Sequence, residues 1–184
     1  MEIKRYEEKY KEDVRFVCCN SDGPCDWDED KKHFILTTFC DYFIEQEGDN
    51  CFIAVDENDR AVGYVICAEN YKNFKKVFIK EYISRFKKNE ISHRMVAYLS
   101  TFIQSILKKE YPAHMHIDIL PEYQRMGLGH KLMDALCENL KEKNIKGVCL
   151  TMFAGNEKGG NFYKKYGFKL IKTVFSTAVF ALKL

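Results

Sequence analysis

Hydrophobic positions along the chain change period several times, and each change marks an element. Residues 2–6 alternate as a short strand, and residues 8–19 carry Val14, Val17 and Cys18 at helical spacing until Asn20-Ser21-Asp22-Gly23-Pro24 stops them. A second helix is expected over 29–47, with Phe34, Ile35, Thr38, Tyr42 and Ile44 inward and Gly48-Asp49-Asn50 at its end. Residues 51–55 and 61–67 read as a hairpin around Asp56-Glu57-Asn58-Asp59, expected at the centre of a sheet. Over 71–110 the aromatics Tyr71, Phe74, Phe78, Tyr82, Phe86, Tyr98 and Phe102 recur at helical spacing. They predict two helices, separated near Lys88-Asn89-Glu90 and stopped by Tyr111-Pro112.

The second half alternates more regularly. A strand over 113–120 runs into a helix marked by Leu128, Leu132, Leu136 and Leu140, with Met133 and Cys137 widening the stripe. A buried strand follows at 147–153, a short helix at 157–166, and two closing strands at 168–174 and 176–182. Hairpins at both ends demand antiparallel pairs, while alternation of strands and helices demands covered faces. The expected class is α/β (α+β): a mixed, mostly antiparallel sheet of about seven strands with helices on both faces, residues 71–110 forming a helical insertion between the third and fourth strands.

The turn between the 113–120 strand and the next helix, Pro121-Glu122-Tyr123-Gln124-Arg125-Met126-Gly127-Leu128-Gly129-His130-Lys131, is the most informative stretch. Glycines at 127 and 129 let an anion approach the backbone, and the unpaired N–H groups of a helix start point at it along the positive end of the dipole. The spacing is neither Gly-x-Gly-x-x-Gly nor a P-loop, which excludes the common dinucleotide and nucleoside triphosphate fingerprints.

Gln124-Arg125-Met126-Gly127-Leu128-Gly129 resembles the Gln/Arg-x-x-Gly-x-Gly/Ala pyrophosphate motif of the GNAT superfamily of acetyl-coenzyme A dependent N-acetyltransferases. Downstream, Asn156-Glu157-Lys158-Gly159-Gly160-Asn161-Phe162-Tyr163-Lys164-Lys165-Tyr166-Gly167-Phe168 resembles the family's Asn-x-x-Ala-x-x-Phe-Tyr-x-x-x-Gly-Phe segment, with Gly159 standing where alanine is usual. The 111–121 stretch is also similar to the acetyltransferase-like domain associated with O-GlcNAc hydrolases and its bacterial stand-alone relatives. The resemblance implies a GNAT fold in which the central parallel strands, residues 113–120 and 147–153 here, splay apart around the pantetheine arm of the cofactor.

Composition narrows the classes. Length of 184 residues with 46% hydrophobic and 14% aromatic content suits one domain over 1–184 with a substantial core. A net charge of +2, from 29 basic and 27 acidic residues, gives no bias toward nucleic acid or an anionic membrane. No apolar run approaches the roughly eighteen residues of a membrane span, and the charged start offers no signal peptide, so a cytoplasmic protein is expected. The eight cysteines form neither a zinc pattern nor a disulfide framework, so no metal is expected.

Site roles follow from the resemblance. Acetyl-CoA would be held through its pyrophosphate by the amides of Arg125, Met126, Gly127, Leu128, Gly129 and His130 in the turn that Gln124 opens, with Arg125 and Lys131 adding charge. The strand end at Ile119 and Leu120 would pair with the pantetheine amides and polarise the thioester carbonyl. Asn156, with Asn161 on the same helix, would bond the pantetheine region, although Asn156 also reads as a plain helix N-cap. Tyr163 matches the family's general acid for the leaving thiolate.

Transfer to an amine requires a neutral nucleophile, and a lysine-like amine at pH 7 lies about 4 to 5 kcal/mol from that state. Asp118 is the candidate base, acting directly or through water, because a carboxylate inside Ile-Asp-Ile is expensive to bury without a purpose. His114, His116, Asp118 and Leu120 share one face of the strand; Met115, Ile117 and Ile119 share the other. The polar face suits a cleft, while His114 reads best as a hydrogen-bonded histidine on a half-exposed strand.

The expected activity is acetyl transfer to a primary amine of a small molecule or peptide by direct attack. A cysteine nucleophile at Cys149 is the second mechanism, and a CoA-binding sensor without activity is the rival function. The aromatic insertion could floor an acceptor pocket or serve as core. Its basic residues between 72 and 88 could bind nucleic acid, which a solvated helix face explains more cheaply. By resemblance, a homodimer is also expected.

Overall fold

Alternation and apolar runs fold into seven strands, β1 Glu2–Arg5, β2 Phe52–Val55, β3 Ala61–Ala68, β4 Ala113–Ile119, β5 Gly147–Phe153, β6 Lys169–Val174 and β7 Thr177–Lys183. The structure is a computed structural model that describes residues 1–105, 107 and 109–184, with 103 and 104 described by backbone alone. One sheet runs in the order β1-β2-β3-β4-β5-β7-β6. Every neighbouring pair is antiparallel except β4 and β5. The expected central hairpin supplies β2 and β3; β3 borders the middle strand β4, and β2 lies second from the edge. Both are buried along their whole length, which explains their continuous apolar sequence.

Helices are α1 Lys11–Asn20, α2 Glu29–Phe39, α3 Asp41–Gln46, α4 Tyr71–Val77, α5 Ile91–Ser105, α6 Leu128–Glu142 and α7 Glu157–Tyr166. They cover both sheet faces. On one, Phe43 of α3 packs its ring against His114 and His116 of β4. On the other, α6 approaches so closely that a Cβ at Gly129 would lie 3.7 Å from Ile119.

The single helix expected over 29–47 breaks at Cys40, whose φ of −129° and ψ of −62° leave the helical region. Burial explains the break. Leu36, Thr37, Thr38, Cys40, Asp41, Tyr42, Phe43 and Ile44 are all buried, and one straight helix would turn several of them to solvent.

The insertion also departs from two plain helices. After α4 the chain winds through a π-helical turn, Phe78–Tyr82, and a 3-10 turn, Ile83–Arg85, before α5. Tyr71, Phe74, Phe78 and Tyr82 are buried, and Phe74 and Tyr82 pack on Tyr42, so these aromatics are core. On α5, Ala97 and Thr101 face inward while Tyr98 and Phe102 are exposed. Its expected continuation through 106 and 108 lies outside the described residues. Among the described residues no helix is long and apolar enough to cross a membrane.

Candidate active site

β4 and β5 pair only at Ala113 with Val148 and His114 with Cys149, and beyond these residues the parallel strands part. A cleft of about 940 Å³ opens there. The Leu120 N–H donates to the Val62 carbonyl at 3.0 Å on the β3 side. Strand alternation then turns the main-chain groups of Ile117 and Ile119 toward the gap, where no β5 residue pairs with them. One of these groups is already engaged: the Ile119 carbonyl accepts from Gln124 Nε2 at 2.9 Å, and the same amide donates to the Ser21 carbonyl at 3.1 Å. Gln124 thus ties the turn to the end of α1, a structural task its motif position does not reveal.

Beyond β4, the 3-10 turn Pro121–Tyr123 leads to two left-handed residues, Arg125 at φ 62° and Gly127 at φ 79°. Gly127 is the N-cap of α6, and no side chain caps that helix. Its first-turn amides therefore lack the side-chain acceptor that ordinary helix starts provide. The next helix differs, because Asn156 Oδ1 accepts from the Gly159 N–H at 2.9 Å and caps α7. Gly129 serves another purpose: a Cβ there would meet the Phe162 ring at 3.0 Å, so glycine lets α6 and α7 close on each other.

Asp118 sits on the polar face of β4 with its Oδ2 accepting from the Tyr64 hydroxyl at 2.5 Å. Burial pushes its carboxyl up to about 6, against the opposing pull of the Tyr64 and Ser21 hydroxyls, while the Asp22 charge adds to the rise. Neighbouring His116 rests edge-on against Phe39 and Phe43, and burial lowers it to about 4, so it is neutral at pH 7. His114 is not the hydrogen-bonded, half-exposed histidine expected: it is buried among Phe43, Tyr71 and Phe74 with neither ring nitrogen bonded among the described residues, because the aromatics of the insertion close over it.

Tyr163 reaches the cleft from α7, its ring set against Phe168 and Phe180. Burial, and then the nearby Asp118 charge, hold its phenol above the ordinary range. It is protonated throughout neutral pH.

Of the residues singled out in the sequence, Asp118, Ile119, Gln124, Arg125, Gly127, Gly129, His130, Asn156, Asn161 and Tyr163 line this one cleft. Four do not. Leu128 is buried beneath the helix start and Met126 is 54% exposed, so neither side chain faces the cleft. Lys131 is exposed outside the lining. Leu120 has both main-chain groups engaged, its N–H by Val62 and its carbonyl by the Tyr123 N–H, so it leaves no free main-chain group at the strand end.

Cys149, the alternative nucleophile, is buried against Tyr111 and Ala181 and is not among the residues lining the cleft, and burial pushes its thiol up to about 12, so it is protonated at neutral pH. Among the described residues none of 71–110 lines this cleft; Tyr71, Phe74, Phe78 and Tyr82 are core, while Ile91, Met95, Val96, Tyr98, Leu99 and Phe102 of α5 are exposed.

Ser21, Asp22, Lys158 and Lys165 line the cleft without having been singled out. In sequence, Ser21 and Asp22 read only as a helix stop, because their approach to Asp118 depends on packing of α1 against β3 and β4. The lining is consequently polarised: basic side chains come from the turn and α7 (Arg125, Lys158, Lys165), acidic ones from the end of α1 and from β4 (Asp22, Asp118).

A family model described as "Acetyltransferase (GNAT) family" matches residues 14–168. An N-alpha-acetyltransferase of Sulfurisphaera tokodaii is 30% identical over 118 residues, spanning 58% of this chain and 70% of that protein. Among solved structures, SsHAT superposes with a TM-score of 0.86 at 23% identity, covering 99% of this chain and 97% of its own. The PaiA N-acetyltransferase of Thermoplasma acidophilum, solved in complex with coenzyme A, gives 0.62 at 17% identity, covering 100% and 98%.

Proposed function

The chain belongs to the GNAT acetyltransferase family and is an acyltransferase, and from that premise we propose that it moves an acetyl group from acetyl-CoA to a primary amine of a small molecule or peptide. The observation that carries this reading is the uncapped start of α6, opening on the same cleft as the unpaired edge of β4. Amides from Arg125 to His130 suit a diphosphate, since a doubly anionic group gains both the hydrogen bonds and the helix dipole. Arg125, Lys158 and Lys165 add positive charge on that side. The gap between β4 and β5 fits an extended chain of amides, which would complete the sheet edge at Ile117 and end with the thioester carbonyl at the Ile119 N–H.

The acidic side suits a cationic acceptor. An ammonium drawn toward Asp22 and Asp118 gives up a proton to Asp118, directly or through a water, and the freed amine attacks the thioester carbon. The Ile119 N–H, fixed before charge develops, stabilises the oxyanion. The C–S bond then breaks, the departing thiolate takes the phenolic proton of Tyr163, and the proton shed by the newly acylated nitrogen returns to the Tyr163 phenolate through water. A phenol buried enough to hold its proton tightly is a weaker acid, yet the thiolate beside it is desolvated too, and burial raises both groups in the same direction.

Release of free thiol from acetyl-CoA, measured across a panel of amines, tests the proposal. Stimulation by at least one cationic amine, with the acetylated product identified by mass, is expected. Saturable CoA binding with no release across the panel would make the chain a sensor.

A further inference from the structure

Tyr64 lies in the buried β3 run Val62-Gly63-Tyr64-Val65, where a tyrosine reads as one more apolar strand residue. Its side chain is fully buried. Phenylalanine would fill almost the same volume without placing a hydroxyl in the interior, so the oxygen needs a reason. Asp118 is its hydrogen-bond partner among the described residues, directly across the β3–β4 ladder, at 2.5 Å. The two backbones are held close: a Cβ at Gly63 would lie 2.9 Å from Ile119 and 3.2 Å from the Asp118 carbonyl. Glycine at that point keeps Tyr64 in register with the carboxylate.

We propose that Tyr64 is the positioning residue for the base of acetyl transfer, its hydroxyl fixing Asp118 by one oxygen so that the other faces the acceptor, and this rests on the reading of Asp118 as that base. The groups around the carboxylate give the phenol its importance. From the end of α1 come the Ser21 hydroxyl and the Asp22 charge; from β4, neutral His116; from α7, the neutral Tyr163 phenol; and the Cys18 and Cys40 thiols lie on the Tyr64 side. None is cationic. Donation from Tyr64, with help from Ser21, is therefore what opposes burial and keeps Asp118 ionised in the working range.

The pH profile of kcat/KM reads this directly. With the parent protein, activity should fall on the acid side with a midpoint near the Asp118 value of about 6. Tyr64→Phe should move that limb upward by about one unit, lowering activity more at pH 6 than at pH 8. 3-Fluorotyrosine placed at position 64, a stronger donor of nearly the same shape, should move it downward. Opposite displacements by the two replacements support positioning, and the fluorinated protein carries the test if the phenylalanine variant does not fold. A limb unmoved by the fluorinated residue, while Asp118→Asn abolishes it, overturns the role of Tyr64 and spares that of Asp118. A limb that persists in Asp118→Asn overturns both.

Discussion

Asp118 can be checked through the stability of the fold as well as through turnover. Its carboxyl titrates near 6 in the folded chain, above the ordinary value near 3.9, so the folded state holds this proton more tightly than the unfolded state does. The stability from that proton is complete below about pH 4 and is lost as pH rises through about 6. Asparagine never ionises, so Asp118→Asn should gain melting temperature relative to the parent between pH 4 and 7 while losing acetyl transfer. A difference that stays flat over this range would contradict the assignment. Tyr163→Phe should lower turnover at least about tenfold with little change in CoA affinity, because its phenol gives a proton late in the reaction and holds little of the cofactor; the reverse pattern would make it a binding residue. Both side chains were visible in sequence, Asp118 as a misplaced charge and Tyr163 by its motif. Tyr64 was not, since an apolar strand gives no sign that a residue 54 positions away will bond its hydroxyl.

Among the elements, the turn before α6 is where sequence and geometry agree on the residues and differ on the reasons. Gly127 is required by its backbone, at φ 79°, since nothing lies within 4 Å of where a Cβ would stand. Gly127→Ala should therefore cost about 1 to 2 kcal/mol in urea unfolding and weaken CoA binding, as the left-handed cap relaxes. Gly129→Val should act by collision with Phe162, pushing α6 from α7, and should reduce CoA affinity more than stability; unchanged affinity in a calorimetric titration would contradict this. Element boundaries were legible where one face is buried and the other solvated, as in α7, and where a short apolar run is bounded by turn residues, as in β5; both fall on the residues the pattern predicts. The break at Cys40 was not, because residues 40–44 are all buried and periodicity carries no information there; nor was the π-helical turn at Phe78–Tyr82, where buried aromatics four apart with exposed Lys80 and Glu81 between them read as ordinary α-helix.

At the scale of the whole molecule, the fold makes its cleft by letting two central strands part beyond their first paired residues, and it assigns opposite charges to the elements that border the gap. The sheet and its mixed strand directions follow from the terminal hairpins and the central strand–helix alternation, which is why the architecture could be read early. The full lining of the cleft could not, because Ser21 and Asp22 reach it only through the packing of α1 against β3 and β4. A crystal structure grown with acetyl-CoA tests the central claim most directly. The account predicts its diphosphate against the amides of Arg125 to His130 and its pantetheine along the β4 edge at Ile117 and Ile119. A diphosphate bound elsewhere, or an empty cleft at saturating acetyl-CoA, would contradict it.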